Sequence, residues 1–254
     1  MLNTIRHGTP TAQPGLLIVH GLFGSGRNWG VIAKRLSDER EVIAVDQRNH
    51  GYSPRFETQS YEDMAADLAE VIEAHGAPMD VLGHSMGGKA AMVLALTRPD
   101  LVKRLIVGDV APVSYGHGQS QNIDAMRAVD LEKVTRRSDA AEQMVPHLED
   151  PALASFFLQS LDVAARKWRL NLDVLEREMP KILSFPDLAA QYDGPVLMLS
   201  GADSHYVLPE HRETIKALFP KARFMKIPGA SHWLHADKPR EFEAAVRGWL
   251  DHTG

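Results

Sequence analysis

With 254 residues, 44% hydrophobic and 24% charged, the chain can bury a sizeable core and lies outside the composition of disordered segments. A net charge of −5 excludes the basic balance that attracts nucleic acid or an anionic membrane surface. It contains no cysteine, which excludes disulfides, thiolate metal sites and cysteine nucleophiles and is compatible with a reducing cytoplasm.

The first stretch, MLNTIRHGTPTAQPG, has no apolar run long enough for a signal peptide, and no segment approaches ~20 uninterrupted apolar residues. A soluble, cytoplasmic protein with a small-molecule partner, and without nucleic acid or membrane, is the expectation. LLIVHG (16–21) is a short apolar run bounded by turn residues, the pattern of a strand buried on both faces. Trp29, Ile32, Ala33 and Leu36 then recur at i, i+3, i+4 and i+7, one apolar helix stripe. EVIAVD (41–46) predicts a second strand. Ser60 and Asp63 form an S-x-x-D capping box opening a helix that carries Met64, Leu68, Val71 and Ile72. MDVLGHS (79–85), a helix over KAAMVLALTR and RLIVGDV (104–110) continue the alternation. PVLMLSG (195–201) and RFMKIPG (223–229) add strands. After Asp237 and Pro239, the spacing of Phe242, Ala245, Val246, Trp249 and Leu250 predicts a closing helix. Strands alternating with helices predict an α/β fold with a doubly wound, mostly parallel sheet.

The interval from Asp109 to Pro195 is longer than a crossover connection needs. Its pattern is mostly helical, in Ile123, Met126 and Val129, in SFFLQSL (155–161) and in WRLNLDVLEREM (168–179). Residues 113–185 are read as a helical insertion over one end of a core formed by 1–112 and 186–254. An insertion after a strand's carboxyl end lies where α/β sheets bind ligands. Phe156, Phe157, Leu161 and Trp168 are candidate pocket walls, with simple packing of the insertion on the core as the competing reading.

The segment VLGHSMGGKA (81–90) carries Ser85 in a G-x-S-x-G frame between a predicted strand and a predicted helix. A nucleophile there must project from a tight turn, so its neighbours two residues away must be tiny; Gly83 and Gly87 are. The helix N-terminus offers unpaired N–H groups and the positive end of a dipole to a developing anion. Strand, motif and helix in that order define a nucleophile elbow. The competing reading is a serine that merely caps the helix.

A serine hydroxyl needs a base. His232, in PGASHW after the last strand, has the position for it. His235 is read as a surface or helix-start residue, His84 as structural, and His20 and His50 as loop braces. No histidine pair has zinc-site helical spacing with a plausible third ligand, so no metal is expected. The acid that orients the base is Asp109 in VGDVAP or Asp203 in SGADSHY; both follow strands and both fit the order Ser…Asp…His. Hydrolase topology in general favours Asp203, and the residues alone leave both open. An oxyanion site pairs the N–H of Met86 with that of Leu22 in HGLFGSG (20–26), with Phe23 as the neighbouring possibility. That loop lacks the Gly-Lys-Ser/Thr of a phosphate cradle and the spacing of a dinucleotide site. Phe23 and Trp233 flank these loops as candidate substrate contacts. Lys89 is read as a structural ion pair rather than a binder of an anionic acyl group.

Together HGLFGS, DQRNHGYS, GHSMGGKA, DVAP and GASHWLHADKP resemble the α/β-hydrolase superfamily, and within it the small bacterial carboxylesterases of the YbfF type. The likeness runs over nearly the whole chain, WRLNLD of the insertion included. It implies an α/β-hydrolase fold with a helical cap inserted after the strand ending near Asp109, and an esterase that needs no cofactor. Ser85 and His232 match the nucleophile and base. An Asp-x-x-Pro element, matched by Asp109 and Pro112, moves the preference for the acid to Asp109, with Asp203 the alternative and Asp173 of the cap an outsider. The implied function is a serine carboxylesterase acting on small carboxylic esters through an acyl-enzyme. Its rivals are a thioesterase for acyl-CoA or an acyl carrier, a carbon–carbon hydrolase or lyase, and a non-catalytic ligand receptor. Dehalogenases and epoxide hydrolases place an Asp where Ser85 stands.

Overall fold

In the computed structural model, which describes residues 1–116 and 118–253, the predicted alternation becomes one twisted sheet. Its strands are β1 (Thr4–His7), β2 (Leu16–Val19), β3 (Val42–Val45), β4 (Met79–His84) and β5 (Val102–Gly108), then, beyond a long interval, two more. Within that interval a small hairpin pairs β6 (Leu161–Asp162) with β7 (Lys167–Trp168), and the main sheet resumes with β8 (Val196–Gly201) and β9 (Ala222–Ile227). The order across the sheet is β1-β3-β2-β4-β5-β8-β9, and every pairing is parallel except that of β1 with β3. β2, β3, β4 and β8 are buried along their whole length, which is why their sequences are mostly apolar and not alternating, the exceptions being the buried Asp80, His84 and Ser200.

Helices cover both faces. On one, α1 (Gly30–Leu36) supplies Ile32, Ala33 and Leu36, the stripe foreseen from spacing. On the other, α2 (Tyr61–His75) and α3 (Met86–Thr97) bury Met64, Leu68, Ala91 and Leu94. Ser60 caps α2 by accepting from the Asp63 N–H at 3.2 Å, while the Asp63 carboxylate pairs with Arg48. The chain leaves β2 toward β3 on one side and returns to β4 on the other. The carboxyl ends of β2 and β4 therefore flank the crevice where such sheets bind ligands.

Between β5 and β8 lie α4 (Ser120–Arg127), α5 (Arg137–Met144), α6 (Leu153–Phe157), the hairpin, α7 (Leu172–Arg177) and α8 (Met179–Leu183). Two helical stretches are shorter than the sequence pattern suggests. The helix through SFFLQSL ends its α-turns at Phe157, and Trp168 belongs to β7. The Asp162 carboxylate accepts from the Ala165 N–H at 3.0 Å and binds Arg169 at 2.6 Å, so a side chain captures the backbone into a turn. Arg166 completes it with φ of 48°. The chain closes with α9 (His211–Leu218), the short α10 (Leu234–Asp237) and α11 (Pro239–His252), whose Phe242, Val246 and Trp249 join α1 over the sheet. Among the described residues no helix is long and apolar enough to cross a membrane.

Candidate active site

Ser85 stands between β4 and α3 with φ of 53° and ψ of −123°, a backbone that residues other than glycine adopt only when the surroundings force it. The forcing contacts are close. A Cβ on Gly87 would lie 2.4 Å from the carbonyl oxygens of Val19 and His20, and one on Gly83 would lie 2.2 Å from that of Gly87. Only glycine lets α3 press this tightly on the end of β2, and that pressure turns the serine outward.

The Ser85 hydroxyl lies 3.1 Å from His232 Nε2, and His232 Nδ1 lies 2.8 Å from Asp109 Oδ2. With Nδ1–H donating to the carboxylate, Nε2 is free to accept the serine proton. Asp109 is fully buried and also has a positive φ, 51°. Its other oxygen accepts from the Gly201 N–H at 3.2 Å, and Ser204 Oγ donates to Oδ2 at 2.5 Å. The Tyr206 ring stacks on the His232 imidazole, with centroids 3.9 Å apart and planes 19° apart. Ser204 and Tyr206 were not singled out in the sequence, although both lie in the same SGADSHY loop as Asp203. Asp203 itself is exposed, and its N–H donates to the Ala230 carbonyl. Asp173 points away to Arg127 at 2.7 Å.

The other histidines have structural tasks. His84 Nε2 donates to the His232 carbonyl at 2.8 Å, fixing the loop that carries the base, and burial holds its pKa well below the usual histidine range. Burial lowers the His50 pKa to about 3, so the ring is neutral and can both donate and accept. It donates through Nδ1 to the Arg48 carbonyl and accepts the Phe23 N–H at 3.2 Å. His20 similarly accepts the Gln47 N–H at 2.9 Å. This bracing commits the Phe23 amide. The amides of Leu22 and Met86 donate to no protein acceptor among the described residues. His235 is a helix-start residue, the second of α10, and not a surface one: its ring stacks on Trp29 at 4.1 Å, and burial lowers its pKa to about 4.

Lys89 departs furthest from expectation. It is 1% exposed and, among the described residues, pairs with no carboxylate. Its ammonium donates instead to the carbonyls of Val113 (2.8 Å), Leu183 (3.0 Å) and Ser184 (2.6 Å), and lies 4.7 Å from the centre of the Tyr115 ring. Burial lowers its pKa to about 7. One turn after the serine, it clasps both ends of the segment between β5 and β8.

A cavity of about 100 Å³, partly open to solvent, lies over Ser85. Phe23, Met86, Phe156, Phe157, Ile182 and Trp233 give it an apolar wall. Leu161 and Trp168 do not reach it: the Trp168 indole donates to the Met126 carbonyl inside the insertion. No cluster of His, Asp and Glu among the described residues could hold a metal ion.

A family model described as the alpha/beta hydrolase fold matches residues 14–239. The chain belongs to the α/β-hydrolase family. It is 43% identical over 248 residues to the sn-1-specific diacylglycerol lipase ABHD11 of Mus musculus, covering 93% of this chain and 81% of the mouse protein. It is 38% identical over 238 residues to esterase YbfF of Escherichia coli strain K12, covering 93% and 92% of the two chains. Among solved structures, a marine microorganism esterase superposes with a TM-score of 0.91 at 35% identity, covering 97% of this chain and 98% of its own. The resemblance read from the motifs is thus borne out, and this α/β hydrolase is a hydrolase related to esterases and lipases.

Proposed function

We propose that this α/β hydrolase is a serine carboxylesterase that cleaves small carboxylic esters through an acyl-enzyme, with residues 113–185 as the cap over its site. Ser85 Oγ attacks the ester carbonyl carbon as His232 Nε2 takes its proton. The carbonyl oxygen becomes an oxyanion against the Leu22 and Met86 N–H groups, within reach of the α3 N-terminus. Collapse of the tetrahedral intermediate breaks the carbon–oxygen bond, and His232 gives its proton to the departing alcohol. Water then repeats the sequence on the acyl-enzyme, releasing the acid and restoring the serine. Asp109 orients the imidazole and stabilises its cation, while Ser204 and Gly201 hold the carboxylate in place. Phe23 and Trp233 contact the substrate.

The observation that carries this reading is the unbroken series Ser85–His232–Asp109, at 3.1 and 2.8 Å. The test is a pair of isosteric changes assayed on p-nitrophenyl esters and acyl-CoA thioesters. Asp109→Asn should lower kcat by about 10⁴-fold, because an amide favours the wrong tautomer of the base. Asp203→Asn should stay within about twofold of wild type, since the carboxylate is exposed and away from the imidazole. The opposite pattern moves the acid to Asp203, and survival of both variants removes an acid from the mechanism. Ester turnover well above thioester turnover favours the carboxylesterase over a thioesterase.

A further inference from the structure

Beside the cavity over Ser85 runs a second space that the mechanism does not use, an open groove of about 680 Å³ between α1, α6 and α10. The two spaces share Leu153, Phe156 and Trp233 as a common wall. The wall is thin: the Phe156 and Trp233 rings meet at 4.7 Å, tilted 55°, and both are only half-buried. Beyond it the groove is floored by Ile32 and edged by Val31, which is 62% exposed, and by Ala236 and Pro239.

Resting on the esterase reading, we infer that this groove is the subsite for the alkyl chain of the leaving alcohol, reached past the Phe156–Trp233 pair. The assignment follows from where the proton must go. The leaving oxygen has to lie within hydrogen-bond reach of His232 Nε2 to be protonated. Ser231, Trp233 and His235, which flank that histidine in sequence, line the groove, and the Trp233 ring of the shared wall lies 5.5 Å from the His232 imidazole. The cavity proper extends the other way, past Met86 to Tyr61, Ile182 and Lys89. At that end the Lys89 ammonium binds three carbonyls. The groove on the other side leaves the alcohol half room to lengthen. An apolar floor under a polar, solvent-facing rim suits an alkyl chain that ends at the surface. Passage between the spaces requires only that two side chains shift, since the wall is made of rings and a leucine.

Two exposed groove positions that line only the groove, Val31 and Ser155, give the test. Val31→Asp and Ser155→Trp are assayed by titrating released acid from two ester series. One holds the acyl group as butyrate and varies the alcohol from methyl to octyl; the other holds a methyl ester and lengthens the acid. Both variants should lower kcat/KM for octyl butyrate by about tenfold or more, as lost contact with several methylenes implies, and leave methyl butyrate within about twofold. The acyl series should be unchanged. Equal losses on both butyrates, a loss that grows along the acyl series, or no loss at all would overturn the subsite. Failure of the esterase reading looks different: wild type would then leave methyl butyrate intact, or Ser85→Ala would retain its turnover.

Discussion

The strands at the centre of the sheet and the segment between β5 and β8 are held in different measure by apolar burial and by polar bonds. The strands β2, β3, β4 and β8 are buried throughout and mostly apolar, with Asp80 of β4 satisfied by Arg40 and Arg104. The segment between β5 and β8 shares one apolar cluster with the core, where Phe157 meets Phe23 at 5.5 Å, and adds polar joints to it. Asn171 N–H donates to the Asn49 carbonyl at 2.9 Å, Arg55 to the Trp168 carbonyl at 3.0 Å, and the Tyr61 hydroxyl to the Ile182 carbonyl at 2.5 Å. Lys89 ties both ends. Directional bonds place a cover accurately yet are each worth only about 1 kcal/mol net.

The contrast can be broken most severely from the core side. Gly87→Ala drives a methyl group into the Val19 and His20 carbonyls, and should cost about 3 kcal/mol or more of stability in denaturant titration, with activity lost at temperatures where the fold survives. Unchanged stability would mean that the close approach of α3 to β2 is not what shapes the elbow.

From the covering side, Lys89→Met should cost about 2 kcal/mol, leaving the half-buried Val113 and Ser184 carbonyls without that donor while Leu183 keeps the Tyr115 N–H, and should speed proteolysis within 113–185 before it affects the core. The same lysine sets a pH signature. Its folded pKa, about 7, lies below its unfolded value, so the unfolded chain binds more protons between about pH 7 and the ordinary lysine range. The unfolding free energy of wild type should therefore rise with pH across that window relative to Lys89→Met. A flat difference would contradict the burial argument.

The smallest effect belongs to a single tether. Asn171→Ala, which removes a 3.0 Å side-chain bond to Asn49 while keeping the backbone one, should change stability by less than about 1 kcal/mol and raise hydrogen exchange only in and around α7. Protection lost from β2 or β4 as well would show that cover and core unfold together.

Legibility divided along the same line. Continuous apolar runs announced the six parallel strands, and the small residues around Ser85 announced the elbow, because in each case one dominant force acts on a local stretch. β1 escaped notice: TIRH is a half-buried edge strand of four residues, antiparallel to β3, with no apolar run to mark it. Leu161 and Trp168, which pair in the hairpin, lie at the ends of two stretches of helical pattern because apolar residues suit either period, and the turn between them is made by polar bonds of Asp162 that apolar spacing does not register. Asp109 and Asp203 both follow strand ends, and only the resemblance ranked them. Bonding of Asp109 to His232 depends on β5 and β8 being neighbours, which no local pattern carries. Lys89 was paired in expectation with a carboxylate, but three carbonyls from distant segments satisfy it, and carbonyls have no sequence signature.

The central claim is that the Ser85 oxygen, pushed outward by two glycines and sharing its proton with His232, is the attacking atom. Reaction with a fluorophosphonate, followed by intact mass and peptide mapping, tests it most directly. One equivalent should add at Ser85, in step with loss of esterase activity, and His232→Ala should slow the addition by about 10³-fold or more. Full ester turnover by protein whose Ser85 is replaced by alanine, or inactivation with the label elsewhere, would contradict it.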